Sequence, residues 1–241
     1  KRDWSSDVCS SDLPVRTVFF DVDFTLIYPG PTFQGEGYAQ FGERYGMRLD
    51  PARFSDAVKA ASSILNDAQE HTYNDDIFVL YTGRIVEAMG GSGPRVEECA
   101  REIYAEWAAC HHFFLYDDVT PALRELAARG LKVGLISNSH RSLAAFQEHF
   151  ELDGLIHGAV SSHQHGYLKP HPSIFEAALR LLDTRADESV MVGDSYAHDI
   201  EGARAVGMRG VLVQRSSQQP FRSGVDGVPV IGSLAELVGL L

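Results

Sequence analysis

The sequence is short of positive charge, and of lysine in particular. It has 21 Lys and Arg residues against 33 Asp and Glu residues, a formal net charge of -12 at pH 7. After the first residue the lysines are Lys59, Lys132 and Lys169. This balance argues against a nucleic acid as the main partner, because binding to its backbone relies on clustered cations. A small phosphorylated molecule can still bind if a cation or a helix N-terminus supplies the charge locally.

Long apolar runs and paired cysteines are lacking as well. No hydrophobic stretch approaches the roughly 20 residues of a membrane span, so we expect no membrane partner. Cys9, Cys99 and Cys110 show no paired spacing, which favours a reducing, cytoplasmic setting. With 44% hydrophobic residues among 241, the chain can form one large core, or a core and a smaller module. Either a monomer or a homodimer is consistent with this composition.

The first thirteen residues, KRDWSSDVCSSDL, differ in character from the rest of the chain. They have neither the apolar region nor the small-residue cleavage site of a signal peptide. A polar tail is one interpretation of them. The stretch from Asp3 to Leu13 also looks like one reading frame of a common sequencing-library adapter. We therefore expect residues 1–13 to be a non-native leader, and we base no functional inference on them.

From Pro14 onward, short β-rich runs alternate with helical patterns. The runs are RTVFF, LKVGLIS, GLIHGAV, SVMVGD and RGVLVQ. This alternation predicts a mostly parallel sheet covered by helices on both faces, a three-layer α/β/α sandwich. In the segment DVTPALRELAARG we expect a helix with Thr120 as N-cap, Pro121 in the first turn and Gly130 just past its end.

The alternation stops between Ile27 and about Leu115, where only helical patterns are found. We predict an all-helical cap over residues 29–114, entered through the Pro/Gly-rich turn YPGP, and a core formed by residues 14–28 and 115–241. Such a cap would lie over the carboxyl ends of the strands, where open α/β sheets bind ligands. Its aromatic residues fall mostly at helical spacing, so we expect most of them in the cap core and one or two at the substrate.

Polar residues follow four of the predicted strands. They are Asp21 and Asp23, Ser137 and Asn138, Lys169, and Asp194 and Asp199. The first two are two residues apart at a strand end, so they face the same side of the sheet. Two carboxylates placed together repel each other, which raises the free energy unless a cation lies nearby.

In order, these residues form the motifs D-x-D-x-T, S-N, K-P and G-D-x-x-x-x-D. Together the motifs resemble those of the haloacid dehalogenase-like (HAD) hydrolase superfamily, in the subfamily IA-like branch with a helical C1 cap. The resemblance covers the chain from Pro14 to its end. It implies a Rossmann-like core, Mg²⁺ as cofactor and phosphoryl transfer through an aspartyl-phosphate. A carboxylate can approach an anionic phosphate ester when a divalent cation neutralises both.

The resemblance also implies a role for each motif residue. Asp21 would attack phosphorus, and Asp23 would protonate the leaving oxygen and later activate water. Ser137 and Asn138 would bind phosphate oxygens at a helix N-terminus, while Lys169 neutralises the transferring group.

The metal ligands implied by the resemblance are Asp21 and Asp194 through their carboxylates and Asp23 through its backbone carbonyl. Thr25, Ser195 and Asp199 would support the site from outside this ligand set. For Asp199 the expected role is to orient either a metal-bound water or Lys169.

The second aspartate, Asp23, decides which reaction the resemblance favours. Dehalogenases and phosphonate-cleaving relatives lack this carboxylate because they do not protonate an ester oxygen. We therefore predict a phosphatase that acts on a small phosphorylated metabolite. The alternatives are a sugar phosphomutase and a degenerate HAD-fold binding protein. Phe24 stands where many members have Gly, and we expect it to alter only the packing of the turn.

Overall fold

The computed structural model describes residues 14–66, 71–215 and 227–241, and the predicted leader lies outside these ranges. The described strands are β1 Thr17–Phe20, β2 Ile27–Pro29, β3 Phe113–Leu115, β4 Lys132–Ser137, β5 Gly158–Ser161, β6 Ser189–Gly193, β7 Arg209–Val213 and β8 Val230–Ile231. The described α-helices are α1 Gly35–Arg44, α2 Phe54–Ala61, α3 Ser63–Asn66, α4 Asp75–Ala88, α5 Val96–Glu106, α6 Val119–Ala128, α7 Leu143–His149, α8 Ser162–His165, α9 Pro172–Leu181, α10 Gly202–Ala205 and α11 Leu234–Leu240. A π-helix at Tyr196–Glu201 precedes α10.

Six strands form one sheet in the order β5-β4-β1-β6-β7-β8, and every pairing in it is parallel. The central strand β1 pairs in register with two neighbours, so that Thr17 lies opposite both Lys132 and Ser189. Strands after β1 are added first on one side and then on the other. The carboxyl end of β1 is therefore the point where the strand order reverses, and ligands bind at such points in open α/β sheets.

Alternate side chains of β1 pack on opposite faces of the sheet, as the two-residue period of a strand requires. Val18 and Phe20 belong to a core cluster that includes Leu123 of α6 and Leu237 of α11. Phe19 belongs to a second cluster, with Ile174, Phe175 and Ala178 of α9. All four residues of β1 are buried, which explains its continuous apolar sequence TVFF. The structure confirms the predicted three-layer α/β/α architecture.

Helices α1 to α5 lie between β2 and β3, within the interval predicted for the cap. The expectation of no strand between Ile27 and Leu115 is wrong at the two edges of this interval. There β2 and β3 form a two-stranded antiparallel ribbon, in which Ile27 lies opposite Leu115 and Pro29 opposite Phe113. Each of these strands has three residues and pairs with a partner far along the chain, so neither shows a periodicity that sequence inspection could detect.

One expected helix start is also placed differently. Helix α6 begins at Val119, so Thr120 lies inside it and is not the N-cap. The Asp118 carboxylate just before it accepts instead from Arg215 Nη1 at 2.6 Å and from the Leu234 N–H at 2.7 Å. The end of α6 is as expected, because Gly130 has the left-handed φ of 75° that follows many helices.

Among the described residues, no helix combines the length and the apolar character that crossing a bilayer requires. Cys99 and Cys110 are free thiols.

Candidate active site

Asp21 lies at the carboxyl end of β1 and is held there by Lys169. The Asp21 backbone N–H donates to the carbonyl of Val192 at 2.9 Å, which extends the pairing of β1 with β6. Lys169 Nζ donates to Asp21 Oδ1 at 2.7 Å and to Asp199 Oδ1 at 2.6 Å. All three side chains of this cluster are buried. The lysine thus bridges the two carboxylates, and its contact with Asp199 corresponds to one of the two roles expected for that residue.

The charges of this cluster shift the pKa values of its members. Burial alone would lower the pKa of Lys169, but the charges of Asp199 and Asp21 outweigh it and raise that pKa above the ordinary value. The pKa of Asp199 is raised to about 6, chiefly by burial, against the lowering effect of Lys169. A single ammonium therefore lies between two buried carboxylates, and the cluster retains excess negative charge.

A third carboxylate, that of Asp194 after β6, lies beside this pair. One oxygen from each of Asp21, Asp194 and Asp199 lies within 4.8 Å of the others. Although Asp194 reaches the crevice surface, loss of hydration there and the charges of Asp21 and Asp199 raise its pKa to about 8. Hard divalent cations such as Mg²⁺ prefer oxygen ligands of this kind. These residues therefore fit a magnesium ion. Among the described residues Asp194 forms no salt bridge, and Asp21 forms one with Lys169, so these two carboxylates are the ones that would hold the ion.

The Asp23 carboxylate contacts Arg141, a residue that sequence inspection missed. Arg141 Nη1 donates to Asp23 Oδ1 at 2.9 Å, and Nη2 donates to the backbone carbonyl of Trp107 at 2.8 Å. The guanidinium carbon also lies 4.2 Å from the centre of the Phe113 ring. Burial raises the pKa of Asp23, and the charge of Arg141 opposes this shift. A single arginine in a loop gives no sequence pattern, although its position three residues after Asn138 could have drawn attention.

Ser137 is the last residue of β4, and Asn138 follows it and contacts Lys169. The Asn138 side chain makes two hydrogen bonds with the Lys169 backbone, accepting from its N–H at 2.7 Å and donating to its carbonyl at 3.0 Å. Ser137 Oγ is buried without a hydrogen-bond partner in the described part of the chain, so it can donate to a bound ligand. The expectation of a helix N-terminus here is wrong, because α7 starts only at Leu143. The polar loop of 138–142 separates the motif from that helix.

Of the three expected supporting residues, Ser195 and Asp199 contact each other, and Thr25 lies apart from them. The Ser195 N–H donates to Asp199 Oδ2 at 3.0 Å, which fixes the second oxygen of that carboxylate. Gly193 allows this arrangement, because a Cβ at this position would overlap the Asp199 carboxylate. Thr25 is buried on the other side of the turn, and its Oγ1 has no hydrogen-bond partner among the described residues.

A cavity of about 450 Å³ lies between this cluster and the helical segment. Asp23, Asn138 and Lys169 line its floor, and residues of α1, α2, α4 and α5 line its walls. More cap aromatics reach it than the one or two expected from sequence. They are Phe33, Tyr38, Phe54, Phe78, Tyr81, Tyr104 and Trp107.

Phe24 also lines this cavity, so its role extends beyond the packing of the turn. Its φ of 63° lies in the left-handed region that glycine favours, and its ring centroid lies 6.4 Å from that of Trp107. The turn beside Asp21 therefore carries an aromatic side chain into the space above the site.

A parallel α/β sheet with acidic side chains and a lysine at its strand-order reversal, beneath a helical segment, defines an α/β fold with a charged crevice at the carboxyl ends of its strands. Comparison with known proteins assigns the family. The family model described as haloacid dehalogenase-like hydrolase matches residues 15–207. The chain belongs to this family, which confirms the superfamily and the hydrolase class predicted from the motifs.

Similar proteins cover nearly the whole chain. A protein of Danio rerio named haloacid dehalogenase-like hydrolase domain-containing protein 3 is 28% identical, over 93% of this chain and 96% of its own length. The ribulose-1,5-bisphosphate 5-phosphatase of Halopiger xanaduensis is 30% identical, over 92% of this chain and 98% of its own. Among solved structures, the magnesium-bound HAD-hydrolase YfnB of Bacillus subtilis covers 95% of this chain and 99% of its own, with a TM-score of 0.70 and 18% identity. This last likeness concerns the fold.

Proposed function

We propose that this protein is a Mg²⁺-dependent phosphatase that hydrolyses a small phosphorylated metabolite through a phosphoryl group carried on Asp21. The observation that supports it most is the position of Asp21. It lies at the reversal of strand order, 2.7 Å from Lys169 Nζ, with the Asp194 carboxylate close by. Membership of the hydrolase family and the phosphatase named among the relatives point to the same reaction.

The residues of the chain divide the reaction between two steps. In the first, an Asp21 oxygen attacks phosphorus, the bond from phosphorus to the alcohol oxygen breaks, and Asp23 gives its proton to that oxygen. In the second, Asp23 takes a proton from water, the water oxygen attacks phosphorus, and the bond to Asp21 breaks to release phosphate. A bound magnesium ion would supply the charge that lets two anions approach. Lys169 and Ser137 Oγ would bind the phosphoryl oxygens during both steps.

Arg141 supports the proposed part of Asp23. It contacts Oδ1 of that carboxylate and, among the described contacts, leaves Oδ2 for proton transfer. Asp21, by contrast, forms its salt bridge with Lys169. The two aspartates are thus held by different cations, which suits a nucleophile and a separate acid and base.

The proposal is tested by phosphate release from p-nitrophenyl phosphate with Mg²⁺, followed by acid quench and mass spectrometry. We expect a phosphoryl group to accumulate on Asp21 in the Asp23→Asn protein. The leaving group p-nitrophenolate needs little protonation, so the intermediate still forms, but its hydrolysis lacks the base. Asp21→Asn should abolish both turnover and the phosphoryl group on the protein. A phosphoryl group found on another residue would contradict the mechanism, and transfer within one substrate without release would indicate a mutase.

A further inference from the structure

The walls of the cavity above Asp23 consist mostly of aromatic and aliphatic side chains. Two pairs of aromatic rings contribute much of this surface, since Phe78 and Tyr104 stack at 5.6 Å and Phe33 and Trp107 lie 4.6 Å apart. Aliphatic side chains fill the spaces between them, among them Ile77, which lies one turn before Tyr81 on α4. Such walls favour apolar groups and planar rings over hydrated ones.

Cations for a second anionic group are missing from this lining. Apart from imidazoles, the charged side chains among the described lining residues are Asp23 and Lys169. Each already has its own partner inside the protein, Arg141 for the aspartate and Asp21 with Asp199 for the lysine. A second phosphate or a carboxylate in the cavity would therefore lose its hydration without gaining a counter-charge, which is costly.

Three imidazole side chains also line the cavity, those of His71, His140 and His198. Burial lowers the pKa of His140, which favours its uncharged form at neutral pH. His198 is hydrogen-bonded to Ser195 Oγ, at 3.1 Å from Nδ1.

Three hydrogen-bonding groups of the lining are used within the protein. Thr82 Oγ1 donates to the Phe78 carbonyl at 2.9 Å, and the Tyr104 hydroxyl donates to Asp75 at 2.9 Å. The Asn138 amide is bound to the Lys169 backbone. These groups are not free to bind a polyhydroxylated skeleton, whose hydroxyls would lose their hydration on entering the cavity.

We infer that the substrate is a monophosphate ester of a largely apolar alcohol, with an aliphatic or aromatic skeleton and no second anionic group. The phosphate would occupy the polar floor beside Asp21, and the skeleton would fill the aromatic cavity above Asp23. The volume of about 450 Å³ lies within the range of sites that enclose small organic molecules. This inference rests on the proposed phosphatase function and specifies its substrate class.

The test compares three six-carbon esters that all release a primary alcohol, so that leaving-group chemistry is matched. They are hexyl phosphate, glucose 6-phosphate and 1,6-hexanediol bisphosphate. We expect kcat/KM for hexyl phosphate to exceed that of each other ester at least tenfold. Phosphate release from all three without this preference, or a preference for the sugar or the bisphosphate, would overturn the inference and leave the phosphatase proposal standing.

Variants on one helix connect the preference to the cavity. Phe78→Ala and, as a second variant, Ile77→Ala should each reduce the preference for hexyl phosphate over glucose 6-phosphate by several fold. Leu80→Ala is the matched control, because Leu80 lies on the same helix but is 55% exposed and does not line the cavity. An equal effect of all three substitutions on the preference would contradict the assignment of the cavity.

Binding of inert phosphonates separates this inference from the proposed function. If none of the esters releases phosphate, the phosphatase proposal fails. Calorimetry then decides the cavity inference, with hexylphosphonate expected to bind at least tenfold more tightly than the phosphonate analogue of glucose 6-phosphate. Equal or reversed affinities would overturn it.

Discussion

The ion pair between Arg141 and Asp23 allows a quantitative prediction, because the cost of breaking an ion pair depends on how deeply it is buried. The Arg141 side chain is fully buried, whereas that of Asp23 is 18% exposed. An exposed ion pair contributes about 0–1 kcal/mol to folding. Removing one partner of a buried pair costs about 3–5 kcal/mol, since it leaves a buried charge without compensation. Asp23→Ala should therefore lower the free energy of unfolding by about 3–5 kcal/mol.

Asp23→Asn should cost less than Asp23→Ala, because the amide oxygen can still accept from Arg141 Nη1. Combining Asp23→Ala with Arg141→Met removes the unpaired charge. The double variant should be more stable than the sum of the single effects predicts, by about 0.5–3 kcal/mol, as for other directly contacting pairs. Urea unfolding at pH 8 without divalent cations measures the wild type, Asp23→Asn, Asp23→Ala, Arg141→Met and the double variant, with m-values compared to check that the unfolding transition stays the same.

The pair of Arg101 and Glu97 provides a matched control. It joins the same types of group at 2.8 Å, but its side chains are 52% and 70% exposed. Glu97→Ala should change the free energy of unfolding by less than about 1 kcal/mol. If Asp23→Ala were no more destabilising than Glu97→Ala, burial would not govern the contribution of the Arg141 pair, and this reasoning would be refuted.

Three further outcomes follow from the site. EDTA should abolish turnover, and Mg²⁺ at about 100 Kd should restore it and stabilise the fold by about 2.7 kcal/mol, measured by thermal unfolding; unchanged activity after complete chelation would contradict the metal site. Gly193→Ala should displace the Asp199 carboxylate and lower both kcat and stability, the latter by about 1–3 kcal/mol in urea unfolding. Burial lowers the pKa of His140, so the stability of the protein relative to that of its His140→Gln variant should fall as pH drops below 6.5, measured by urea unfolding; an unchanged difference would contradict this.

The fold was predictable because its determinants are local. The sequence TVFF of β1 is a continuous apolar run because both faces of the strand are buried, and Gly130 marks a helix end through its own φ. The paired strands β2 and β3 lack such determinants. Their pairing depends on the helical segment between them, which brings distant residues together, and no local pattern records it.

The part of the candidate site that could be predicted consists of residues in sequence motifs, because these motifs occur in a fixed order along the chain. Asp21, Lys169 and Asp199 form one cluster, as motifs at successive strand ends lead one to expect. Arg141 escaped notice because its importance comes from where the loop places it. The number of aromatic residues in the cavity lining escaped notice for a related reason, since aromatic residues at helical spacing look the same whether they face a core or a ligand.

Arg141 also connects two parts of the molecule that the sequence places far apart. Its Nη1 holds Asp23 next to the end of β1, while its Nη2 holds the Trp107 carbonyl, just after α5. Trp107 in turn presents its ring to Phe33 and lines the cavity. A shift of this segment away from the sheet would break a hydrogen bond of 2.8 Å from a buried guanidinium, which cannot turn to solvent for a replacement. The orientation of Asp23 and the position of the cavity wall are therefore fixed by the same side chain.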